Sequence, residues 1–93
     1  MDLRFTWDPK KAAINLRRHR VGFPEAATAF ADPLSITIQD PDHSADEERF
    51  VLIGHSDHRR LVVVAHTERG DLIRIISARL PTRHERQIYE EES

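Results

Sequence analysis

Residues 61–89 read LVVVAHTERGDLIRIISARLPTRHERQIY, and the way this stretch turns at Gly70 decides which side chains of the chain meet. Two runs rich in β-branched residues, 61–68 and 72–79, flank Gly70-Asp71, which reads as a β-hairpin. Thr82-Arg83-His84-Glu85 then forms a capping box that opens a terminal helix, with Glu90, Glu91 and Glu92 placed unfavourably at its C-terminal end. A two-residue type II′ turn puts Glu68 opposite Ile73 and gathers His66, Glu68, Ser77 and Arg79 on one face. A three-residue turn shifts the register by one and puts Arg74 there instead, with Arg79 behind. Either register brings a histidine, a glutamate and an arginine together.

Working outward, 93 residues make one domain with a single core. The chain is 39% hydrophobic and 32% charged, which marks it as globular. With no cysteine, neither a disulfide framework nor a thiolate metal site can form. No run resembles a signal peptide or a membrane span, so a soluble cytoplasmic protein is expected. The net charge of −2 hides a dipole. Residues 40–48, DPDHSADEE, carry five carboxylates and no Lys or Arg, whereas residues 69–86 carry five arginines against Asp71 and Glu85. One face can therefore attract phosphate while the total stays near zero.

The N-terminal half reads as a strand at Leu3, Phe5 and Trp7, then a helix capped by Asp8 with Pro9 at its first position. That helix runs to about His19, with Ala12, Leu16 and His19 on one face and Lys11, Asn15 and Arg18 on the next. Gly22 breaks it, and a second helix from Pro24 stops before Asp32-Pro33. Strands follow at LSITI (34–38), with Leu34, Ile36 and Ile38 inward, and at RFVLIGH (49–55). The order β-α-α-β-β-β-β-α predicts an α+β fold, an antiparallel meander with helices against one face.

The clustered residue types suit cleavage of RNA by its own 2′-hydroxyl. Glu68 or His66 would accept the hydroxyl proton, and arginines would neutralise the charge that builds on phosphorus, each giving roughly 10²–10³ in rate. No metal or other cofactor is needed for that route. Ordinary alternatives exist for each part: a strand arginine is commonly an ion-pair partner, and Arg86 can pair with Glu90 one helical turn on. Tyr89 reads as core. Asp40-x-Asp42-x-Ser44-x-Asp46 begins like a calcium loop but has Ala45 in place of glycine and Val51 in place of the closing glutamate. His55-x-x-His58 lacks further zinc ligands at familiar spacing.

Trp7-Asp8-Pro9-x-Lys11, followed by Asn15-Leu16-Arg17-Arg18-His19, resembles the opening signature of BrnT-type ribonuclease toxins from BrnT/BrnA toxin–antitoxin modules. Phe23-x-Glu25-Ala26-Ala27, Phe30-x-Asp32-Pro33, Asp42-His43-Ser44, Glu48-Arg49-Phe50, Ile53-Gly54, Arg74 to Arg79, and Arg83-x-Glu85-Arg86-x-x-Tyr89 continue the likeness. The resemblance implies a RelE-like sheet with two N-terminal helices and one C-terminal helix. It also implies a metal-independent endoribonuclease that inhibits translation and growth. Its partners would be RNA and a BrnA-like ribbon-helix-helix antitoxin, with promoter DNA bound only through the antitoxin complex. The matching catalytic candidates are His66, Glu68, Arg69, Arg74 and Arg79, and the RNA-binding candidates are Lys11, Ser77, Arg83 and Arg86. Arg20 stands where the family usually has glycine, and His84 and Gln87 where it is often basic. A catalytically inactive relative, acting only within a repressor complex, is the alternative reading.

Overall fold

The computed structural model describes residues 2–40 and 47–92, so the calcium-like stretch from Asp42 to Asp46 lies outside the described residues. The elements are β1 (Arg4–Thr6), α1 (Pro9–His19), α2 (Phe23–Thr28) running into a 3₁₀ turn (Ala29–Ala31), β2 (Ile36–Asp40), β3 (Arg49–His55), β4 (Leu61–Arg69), β5 (Leu72–Arg79) and α3 (Arg83–Glu92). The strands form one sheet in the order β1-β5-β4-β3-β2. From β2 to β5 it is the expected antiparallel meander. β1, however, lies parallel to β5, with Phe5 beside Ile73 and Thr6 beside Arg74. The sheet is therefore mixed rather than wholly antiparallel, because a strand followed by helices can return to the sheet edge in the parallel sense.

The helices also divide between two faces rather than sharing one. On the first face, Val21, Phe23, Ala26 and Ala29 pack on Leu52, Val62, Val64, Ile73, Ile75 and Ala78. On the second, Tyr89 of α3 seals a smaller cluster of Ile53, Leu61 and Val63. Gly54 lets the 3₁₀ turn approach β3, since a Cβ there would sit 3.0 Å from the Ala29 carbonyl oxygen and from the Ser35 Cβ. Leu34 precedes β2 and is exposed, and Ile38 is exposed on β2, the outer strand of the meander, so neither is the inward residue that alternation suggests.

Gly70 adopts φ +59° and Arg69 pairs with Leu72, so the turn has two central residues and Glu68 lies opposite Ile73. The register then changes. His66 pairs with Ile75 but Ala65 pairs with Ser77, leaving Ile76 as an extra residue in a β-bulge. Beyond it the parity of β5 inverts, with Val64 opposite Ala78 and Val63 opposite Arg79. Ser77 and Arg79 consequently lie on the face of Arg74 and α3, away from His66 and Glu68. The two-residue turn excludes the three-residue register, and the extra Ile76 corrects the two-residue register beyond Ile75.

In α1 the Asp8 carboxylate accepts from the Lys10 N–H at 2.9 Å, as its position at the cap predicts. Its inward face differs from the expected one: Leu16 and His19 are exposed, and Asn15 is buried. The Asn15 amide donates to the Val21 carbonyl (3.0 Å) and the Ala78 carbonyl (2.8 Å), and its oxygen accepts from the Ala78 N–H (3.1 Å). A side chain thus completes the edge of β5 where β1 has ended, which explains the asparagine at the middle of the helix. Arg20 closes α1 in the left-handed region at φ 59°, its N–H bonded to the Leu16 carbonyl at 2.9 Å.

Candidate active site

On the α3 face, near the Gly70 turn, Thr6, Glu47, Thr67, Arg69, Leu72 and Arg74 line a groove of about 350 Å³. Strand pairing explains the set: Arg74 sits between Thr67 of β4 and Thr6 of β1, and Arg69 and Leu72 form the next rung. Arg74 is exposed, and no carboxylate among the described residues pairs with it. Arg69 is held by Glu47 at 2.5 Å. A guanidinium without a counter-ion among the described residues, flanked by two hydroxyls, offers both charge and hydrogen bonds to an incoming phosphate.

The other candidates are distributed elsewhere. Arg79 makes a bidentate pair with Glu85, at 2.7 and 2.8 Å, and thereby ties β5 to the first turn of α3. Hydrogen bonds from Arg79 chiefly, against burial and with help from the Thr82 N–H, hold the Glu85 carboxyl down at about 2. The capping box forms as expected, with the Thr82 N–H 2.8 Å from Glu85 Oε1 and the Glu85 N–H 3.2 Å from Thr82 Oγ1. Arg83 and Arg86 are exposed on α3. Lys11 and Ser77 meet in a separate cleft of about 210 Å³ between α1 and β5, together with Ile14, Arg18 and His19.

His66 is 0% exposed on the helix side of the sheet, between Phe30 (4.7 Å, edge-on) and Phe50 (6.0 Å, stacked). Its Nε2 lies 2.9 Å from the half-exposed Glu68 carboxylate. The fold therefore does not bring His66 and Glu68 to the arginines. Thr6, Thr67 and Glu47 were missed in the sequence. The Thr67–Arg74 pairing was implicit in a two-residue turn; the parallel placement of Thr6 had no sequence signal.

At the opposite end of the sheet, two carboxylates fasten the scaffold. Glu25 is bidentate to Arg60 (2.8 Å at each oxygen) and accepts from Ser56 Oγ at 2.7 Å, while Arg60 also donates to the Arg20 carbonyl at 2.8 Å. The Arg60 hydrogen bonds, opposed by burial and aided by Ser56, hold Glu25 at about 2. Asp32 accepts from the Tyr89 hydroxyl (2.7 Å) and the His55 N–H (2.8 Å). Burial acts to raise its pKa, but these bonds and one from the Leu34 N–H outweigh it and keep the carboxyl below its usual range. The Tyr89 hydroxyl in turn accepts from the His55 ring at 3.1 Å. Among the described residues no group of three His, Asp or Glu side chains is arranged to hold a metal, and no helix is long and apolar enough to cross a membrane.

No curated protein matches the chain. Among solved structures it is similar to the Brucella abortus ribonuclease toxin BrnT, with a TM-score of 0.62 and 20% identity over 87% of this chain and 99% of that one. At that identity the likeness establishes a common fold. Residues 7–85, from Trp7 to the first turn of α3, match the family described as the ribonuclease toxin, BrnT, of type II toxin-antitoxin systems. The match spans most of the chain, and this protein belongs to that family of ribonuclease toxins.

Proposed function

We propose that the groove around Arg74 is where RNA is cut, without a metal ion. The carrying observation is the exposed Arg74, without an ion-pair partner among the described residues, set between the hydroxyl-bearing Thr6 and Thr67, with Arg69 on the next rung. The 2′-hydroxyl oxygen bonds to the adjacent phosphorus as the bond to the 5′-oxygen breaks, leaving a 2′,3′-cyclic phosphate and a 5′-hydroxyl end. Arg74 and Arg69 neutralise the phosphorane, and the threonine hydroxyls orient it. The proton of the 2′-hydroxyl passes to Glu47, the carboxylate that lines the groove. The leaving oxygen takes its proton from solvent. Glu68, bonded to His66 on the far face of the sheet, lies out of reach of that proton. Arg83 and Arg86 guide the strand from α3, and Arg79 acts as a positioning residue through Glu85.

The family implies an antitoxin partner. A BrnA-like ribbon-helix-helix antitoxin covering the arginine groove would stop cleavage, and promoter DNA would be bound only through that complex. RNA loss in the cytoplasm then accounts for growth arrest.

The test is cleavage of a defined RNA by the purified chain in EDTA. Arg74→Ala should lower the rate roughly 10²–10³-fold, with stability unchanged within about 0.5 kcal/mol. Glu47→Gln should lower the rate, and Glu68→Gln, on the far face, should leave it near the parent's. Intact RNA with the parent chain would leave only the binding role in a repressor complex.

A further inference from the structure

The cleft between α1 and the outer edge of β5 lies apart from the groove around Arg74. Lys11, Ile14, Asn15, Arg18 and His19 line it from the helix, and Ile76 and Ser77 from the strand. We infer that it holds the phosphates of single-stranded RNA flanking the cleaved bond, an inference that rests on the ribonuclease reading of the adjoining groove.

Charge placement carries this. Between residues 9 and 20 the chain has Lys10, Lys11, Arg17, Arg18 and Arg20 and no carboxylate. None of the five is paired with a carboxylate among the described residues. The helix dipole favours the cations of the last turn, but it opposes Lys10 and Lys11, which sit in a first turn with no acidic residue. In a protein of net charge −2, the carboxylates are concentrated elsewhere, in residues 40–48 and 90–92.

Continuity with the groove is set by β5. Arg74 and Ser77 are three residues apart on that strand, or about 10 Å. β1 covers the strand edge only as far as Arg74, and α1 continues along it until Asn15 reaches Ala78. A strand leaving the groove at Arg74 along β5 would enter the cleft that Lys11, Arg18, His19 and Ser77 line. Ile14, 46% exposed, offers an apolar wall to a ribose or base.

The experiment measures binding of a 2′-O-methyl RNA oligonucleotide, which lacks the attacking hydroxyl, across a salt series. Lys11→Ala with Arg18→Ala should weaken binding roughly tenfold and reduce the salt slope by about 1.4, from about 0.7 per lost phosphate contact on a single strand. Lys10→Ala with Arg17→Ala removes the same charge outside the cleft and should cost less than about threefold. Equal losses in the two double variants, or none in the first, overturn the proposal. So does a parent chain that fails to bind, or a first variant that loses an acidic protein partner but keeps RNA. An oligonucleotide bound through Lys11 and Arg18, with its 2′-hydroxyl counterpart left uncut, would instead sink the ribonuclease reading and leave the track standing.

Discussion

The Nε2 of His66 lies 2.9 Å from Oε2 of Glu68, on the face of the sheet opposite Arg74. Nδ1 of the same ring lies 3.2 Å from the Val64 carbonyl, so both nitrogens have polar neighbours. Sealed beneath Phe30 and Phe50, the ring braces the hairpin rather than touching substrate. His66→Leu should cost about 2–3 kcal/mol in urea unfolding. Its cleavage rate per folded molecule should stay within about threefold of the parent. A hundredfold fall in a folded variant would return His66 to the chemistry.

Asn15 should be the most sensitive polar position of α1. Its amide satisfies one N–H and two carbonyls in the core, and Asn15→Ala leaves them without partners, at about 2–4 kcal/mol. Amide exchange at Ala78 should accelerate in that variant more than exchange in β3. Uniform acceleration would assign the asparagine a merely global role.

Acid stability should depend on Glu25 and Glu85. Both carboxyls sit at about 2 in the folded chain against an ordinary 4.5. Depressed folded values mean that the stabilisation is complete above the unfolded value and is lost as pH falls from about 5 towards 2. Each contributes on the order of 3 kcal/mol at neutral pH as an upper figure. Glu25→Gln should flatten the acid limb of the stability curve and lower its neutral plateau. An acid limb of unchanged steepness would show that the Arg60 pair does not act in this way.

Arg20 occupies a left-handed position that costs a side-chain-bearing residue roughly 1 kcal/mol. Its partner, the Arg60 guanidinium, binds only the backbone carbonyl. Arg20→Gly should therefore stabilise the chain by about 0.5–1 kcal/mol. Thermal unfolding checks this, and a lower midpoint would mean that the arginine side chain has a structural role of its own.

Much of the scaffold was legible because it rests on local rules: the Asp8 cap, the Gly70 turn, the Thr82–Glu85 box and the meander all have short-range causes. The site was less so. The bulge at Ile76 moves Ser77 and Arg79 across the sheet, away from His66 and Glu68. The only trace of it in the chain is the doublet Ile75-Ile76, where alternation lapses. The three-residue β1 is too short to show its parallel pairing, so Thr6 could not be placed beside Arg74. Asn15 was placed beside Lys11 and Arg18, on the face next to the apolar one, because helical spacing does not show that its amide reaches β5.

The fastenings of Glu25 and Asp32 lie where β3 turns into β4, whereas the groove lies at the far tip, held by its own strand pairs and by three residues of β1. The molecule is thus riveted at one end and left to breathe at the other. The end that carries the groove, tied by the exposed pairs Arg69–Glu47 and Arg4–Asp71, should open more readily than the riveted end. Substitutions that tune the groove then need not erode the rest. Faster amide exchange at Arg69–Arg74 than at Leu61–Val64 is the signature of that asymmetry.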